Sequence, residues 1–147
     1  MHGQQVWIRR VLALGMASVL VSVSQGCSRG DGLNRVIVAG TVTLDGTPAE
    51  DGQIRFIPQH NTPGPTSVSP IQHGRYECKD FGGVPAGEHR VEILIWDPKA
   101  PKPTGPGQAP RPQWAPEKYN QTSELMATVD ASRDMKTTDW NLQGATK

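Results

Sequence analysis

From Arg35 onward the apolar residues recur at close to every second position, a period that admits strands and leaves no room for a bundle of amphipathic helices. The clearest run is His89 to Trp96, in which His89, Val91, Ile93 and Ile95 alternate with Arg90, Glu92, Leu94 and Trp96. Val36, Val38, Gly40, Val42 and Leu44 likewise form one small apolar face, opposite Arg35, Thr41 and Thr43. Sixteen glycines and thirteen prolines in 147 residues, with valine and threonine between them, punctuate such runs with turns. Turns are predicted at Asp45-Gly46-Thr47-Pro48, at Asp51-Gly52 and at His73-Gly74, the last joining strands at Thr66 to Gln72 and Arg75 to Cys78. A strand carrying Ile54 and Phe56 and two late ones, Glu124 to Asp130 and Thr137 to Leu142, bring the count to about seven, which favours one all-β sandwich over residues 35–147.

The front of the chain has a different character. Met1 to Arg10 contains Arg9 and Arg10 with no acidic residue, and Val11 to Val23 is apolar apart from small residues, as in a secretory leader. Thirteen residues of helix would span about 20 Å, short of the roughly 30 Å hydrocarbon layer, so a stable membrane span is the weaker reading. Ser24-Gln25-Gly26-Cys27 then resembles the bacterial lipobox, although Ser24 replaces the usual apolar residue and Gln25 is larger than usual. The resemblance implies a leader at 1–26, acylation of Cys27 with palmitate-type chains, and a polar tether at 27–34. An ordinary leader cut nearby, with Cys27 left as a thiol able to pair with Cys78, is the alternative. At about 0.8 kcal/mol per buried methylene, two or three acyl chains hold a protein at a membrane almost permanently. By resemblance to lipoprotein sorting, Ser28 after the cysteine favours the outer membrane over the inner. Cys78 shares a strand face with Tyr76 and is expected to be a buried small hydrophobe.

Within the folded part, "GTVTLDGTPAEDGQIRFIP", "HGRYEC" and "GVPAGEHRVEI" resemble the pattern of carboxypeptidase regulatory-like and transthyretin-like domains. That resemblance covers most of residues 38–96; "PEKYNQTSELMATV" and "DWNL" also look like the closing strands of small bacterial lipoproteins bearing such a domain. It implies a Greek-key β-sandwich. It implies little about function, because these folds host many unrelated roles.

Chemistry is sparse. The chain ends Leu142-Gln143-Gly144-Ala145-Thr146-Lys147, unlike the Tyr-Arg-Gly-Ser ending of transthyretin-related hydrolases. Tyr76, Tyr119, His60, His73 and His89 lack the close His-x-His pair of iron dioxygenases on similar folds. No serine lies in a Gly-x-Ser-x-Gly elbow, and Asp45, Asp51 and Asp80 read as turn residues before calcium ligands. Net charge is +1, without basic runs and with few aromatics, so nucleic acid is not an expected partner. The remaining region of interest is 98–116, where seven prolines stiffen the chain: it reads first as a stiff, solvated connection between two strands, and second as a binding loop in which Trp96, Lys99, Lys102, Arg111 and Trp114 are candidate contacts for an envelope protein or glycan. The expectation is a lipid-anchored, non-enzymatic envelope module with neither metal nor cofactor. The alternative is a small envelope hydrolase or metal-dependent enzyme built on the scattered histidines.

Overall fold

The computed structural model describes residues 32–107 and 109–144; the predicted leader, Cys27 and tether residues 27–31 lie outside them. Ten strands follow in order: β1 (Arg35–Leu44), β2 (Thr47–Pro48), β3 (Asp51–Pro58), β4 (Ser67–Gln72), β5 (Arg75–Cys78), β6 (Val84–Pro85), β7 (Gly87–Ile95), β8 (Met126–Val129), β9 (Met135–Thr137) and β10 (Trp140–Leu142). Seven of them form one curled sheet in the order β10-β1-β5-β4-β3-β7-β8, with β2, β6 and β9 added to β1. The described residues are all-β, as their periodicity predicts.

The sheet curls so that one face of each long strand meets a common interior. Val36, Val38, Val42 and Leu44 of β1 pack with Ile54 and Phe56 of β3, Ile71 of β4, and Val91, Ile93 and Ile95 of β7, all nearly inaccessible to water. Tyr76 and Cys78 share the inner face of β5, and the Cys78 thiol is free. Burial, and secondarily the nearby Asp80 charge, push that thiol up to about 11.

Two hairpin turns form where expected. Asp45 and Gly46 have φ of 51° and 76°, and His73 and Gly74 have φ of 50° and 74°, the double left-handed geometry that matches strand twist. Asp51-Gly52 is a correction: it opens β3 and forms no turn. A Cβ on Gly52 would overlap the Leu94 carbonyl, so this glycine lets β7 approach closely. Just before it the chain bends at Glu50, and the His73-Gly74 hairpin docks there, His73 N and Gly74 N donating to the carbonyls of Glu50 and Ala49 at 3.0 and 2.8 Å.

The predicted late strand, Thr137 to Leu142, is also revised. It divides into β9 and β10, both parallel to β1. Between them Thr138 crosses over Gly40, where any Cβ would overlap its carbonyl. Thr138 N donates to Ala39 O at 2.9 Å, Tyr76 Oη donates to Thr138 O at 2.7 Å, and Asp139 Oδ1 accepts from both Thr41 N and Thr41 Oγ1 at 2.8 Å. Those bonds from Thr41 hold the Asp139 carboxyl below its usual range. β1 is thereby enclosed, with β2 and β5 on one edge and β9 and β10 on the other.

Candidate functional site

The proline-rich segment is closed at its neck by a short antiparallel ladder. Trp96 bridges Gln113, Asp97 N donates to Pro112 O at 3.0 Å, and Trp114 N donates to Ile95 O at 2.7 Å. Residues 97–112 therefore leave the end of β7 and return to it, and their prolines restrict the path between. The loop is also stitched to β3. Arg111 donates from Nη1 to Asp51 Oδ2 at 2.5 Å and from Nη2 to Asp97 O at 2.9 Å, and Lys102 Nζ lies 3.0 Å from the same Asp51 oxygen. Burial alone would raise the Asp51 carboxyl, but hydrogen bonds from Lys102 and Arg111, with their charges, hold it below the usual carboxylate range.

The five predicted contact residues are thus divided by the structure. The Arg111 side chain is only 6% exposed and its guanidinium fastens the loop, with Nε buried and unpartnered. Lys99 and Lys102 are exposed, the latter on Asp51. Trp96 is half-buried and borders a hollow with Gln53 and Val68, whereas Arg111 borders a different one. Trp114 remains 49% exposed beside the neck.

The hollow bordered by Arg111 is a cleft of about 580 Å³ between the loop and the outer face of β3 and β7. Arg55, Glu92 and Leu94 form its floor, and Gln113, Asn120 and Gln121 are among its walls. Arg55 and Glu92 are direct cross-strand partners, which places them side by side. Glu92, with a side chain 11% exposed, accepts from Arg90 Nη1 at 2.8 Å and lies 3.7 Å from Arg55 Nη1, while Arg55 Nε donates to Gln53 Oε1 at 2.9 Å. The result is a polar floor with fixed charges and amide-bearing walls. Arg55 and Glu92 escape sequence reasoning because only the register brings them together. A hollow of about 730 Å³ over β1, β4 and β5 is larger, but it is an open stretch of outer sheet face in which Asp139 is already engaged by Thr41.

The titratable groups considered for metal or acid-base chemistry are dispersed. His60 Nδ1 lies 3.0 Å from Glu88 and His73 Nδ1 2.9 Å from Glu50, both exposed, while His89 is wholly buried edge-on against Phe56. His89 Nδ1 faces the Gly87 carbonyl at 3.2 Å, so that nitrogen carries the proton, and Nε2 has no partner. Burial lowers its pKa, and the Lys136 charge adds to the effect. Tyr76 is held by Thr138 and Trp140, and Tyr119 Oη accepts from Gln143 N at 3.0 Å. Among the described residues, no group of three or more His, Cys, Asp or Glu side chains gathers as a metal site.

Comparison with known proteins adds no identity. No protein-family model, curated protein or solved structure matches the chain. Among the described residues no helix is long and apolar enough to cross a membrane.

Proposed function

We propose that this chain is a lipid-anchored, non-enzymatic module of the cell envelope, acylated at Cys27 and placed at the outer membrane, that holds an envelope glycan or protein in the cleft beneath its proline-rich loop. The observation that carries the binding part is the Arg111–Asp51 clip, which keeps the loop folded over the outer face of β3 and β7. A pre-shaped loop loses little further entropy when a ligand enters. Fixed charges on Arg55 and Glu92 and the amides of Gln113, Asn120 and Gln121 suit a ligand rich in hydroxyl or amide groups, which favours a glycan. The curled sheet supports the finer reading of a Greek-key sandwich of the transthyretin-like or carboxypeptidase regulatory-like kind. The segments quoted for that resemblance occupy β1 to β3, the β4–β5 turn and β6–β7.

The anchor is tested by feeding cells a clickable fatty acid: wild type should carry label and fractionate with membranes, and Cys27→Ala should lose both. Unlabelled, soluble wild type would return Cys27 to the thiol reading. The cleft is tested by retention on purified envelope glycan, which Arg55→Ala and Gln121→Ala should weaken without changing the unfolding midpoint much. Retention equal to wild type in both variants removes the cleft from consideration.

A further inference from the structure

Phe81 stands in the tight turn between β5 and β6 with φ 55° and ψ 24°, a left-handed conformation rarely adopted by a bulky residue, and its surface is 94% exposed. Neither packing nor backbone preference explains phenylalanine here, and glycines follow it at 82 and 83. A residue that is both strained and solvent-exposed points to a partner outside the fold. Pro65 and Val68, itself 39% exposed, border the same hollow as Phe81, extending the apolar surface.

The position of the turn identifies the partner. Arg35, the first residue of β1, donates from Nη1 to Gly83 O at 3.2 Å, and β6 pairs with Arg35 and Val36. The turn therefore sits at the end of the domain where the chain arrives from Cys27. Seven residues, 28–34, separate Cys27 from Arg35, a reach of at most about 28 Å over eight steps of the chain. Resting on the anchor reading above, we infer that Phe81 inserts into the lipid surface, so that the domain lies with its β5–β6 turn against the membrane and does not swing freely on its tether. Arg35 and Lys79 flank the turn, Lys79 paired with Glu77 at 2.6 Å and Asp80 standing beside Phe81, so the apolar ring rather than a net positive charge makes the contact.

The test uses the full chain, extracted from its membrane with its lipid and reconstituted into vesicles of phosphatidylethanolamine and phosphatidylglycerol. Phe81→Cys carries an environment-sensitive fluorophore; Thr47→Cys, at the far end of β1 about 30 Å away, carries it as the control. The expected result is a blue-shifted emission from position 81, quenched by nitroxide lipids, and water-like emission from position 47. As a second readout that keeps the native side chain, Lys79 should be protected from a water-soluble amine reagent in wild type and exposed in Phe81→Gly. Phe81→Gly should raise the Tm, because glycine tolerates the left-handed backbone. Water-like emission at both positions, with acyl chains on Cys27 verified by intact mass, overturns insertion and leaves the anchor standing. Membrane-like emission at both overturns the orientation. A protein without acyl chains overturns the anchor, and this inference with it.

Discussion

Replacing Arg111 by methionine tests whether the loop is a fastened part of the fold. The substitution keeps an aliphatic stem of similar reach and removes the guanidinium. It deletes a charge-assisted bond to Asp51, of order 1.5–3 kcal/mol, and a bond to the Asp97 carbonyl, of order 0.5–1.5 kcal/mol. Two features reduce the loss: Lys102 still reaches Asp51, whose side chain is 30% exposed, and the unpartnered Nε is removed. A net destabilisation of about 2–3 kcal/mol follows. For a domain of this size that lowers the Tm by roughly 8–12 °C. Urea unfolding followed by tryptophan fluorescence measures it, and the double variant with Asp51→Asn should show a coupling of about 1–2 kcal/mol. A pair whose guanidinium is buried is screened less than a surface pair, so most of the loss should persist in high salt. A change below about 0.5 kcal/mol, the range of an exposed ion pair, would refute the reasoning.

Other consequences are equally direct. The folded His89 has a pKa below its unfolded value of about 6.5, so its contribution is complete above that pH and is lost as pH falls toward the folded pKa, at up to about 1.4 kcal/mol per pH unit. Parallel stability profiles of wild type and His89→Met between about pH 7 and pH 5 would contradict this. Cys78, pushed up to about 11 and buried, should resist alkylation in the native protein at neutral pH and react on unfolding; rapid native labelling would show the site to be open. Gly40→Ala should destabilise by about 2–3 kcal/mol and strip hydrogen-exchange protection first from residues 135–142, because its methyl group meets the Thr138 carbonyl. Joining Pro101 directly to Pro110 should change stability by less than about 1 kcal/mol, since the described residues of the excised tip are exposed, the Lys102–Asp51 pair lost with it is a surface pair, and Arg111 and the neck are kept; a larger loss would mean that the tip itself packs.

The sequence carried the parts of this fold that are local. Alternation located β1 and β7, and Asp-Gly and His-Gly pairs located two hairpins, because a left-handed turn leaves a signature in two adjacent residues. Misreadings arose where a distant backbone decides. Gly52 resembles a turn glycine until β7 is laid against it, and the late strand looks continuous until Thr138 is placed over Gly40. The site divides similarly. Proline density marked the loop, but Arg111 read as a surface cation because its partner, Asp51, lies 60 residues away in sequence. Arg55 and Glu92 carry no motif at all; their significance is a matter of register.

The parallel placement of β9 and β10 along β1 has a mechanical consequence. Ile37–Ala39 are joined to Met135–Thr137, and Val42–Leu44 to Trp140–Leu142, so the first and last strands of the domain run side by side in the same direction. Tension between the N-terminal side of β1 and the C-terminal side of β10 pulls these neighbours past one another, loading their hydrogen bonds together, whereas a hairpin pulled at its open end peels one bond at a time. A domain held at its N-terminus and tugged at its C-terminus meets that force in shear, with the Tyr76–Thr138 and Thr41–Asp139 bonds acting as additional rivets across the same seam.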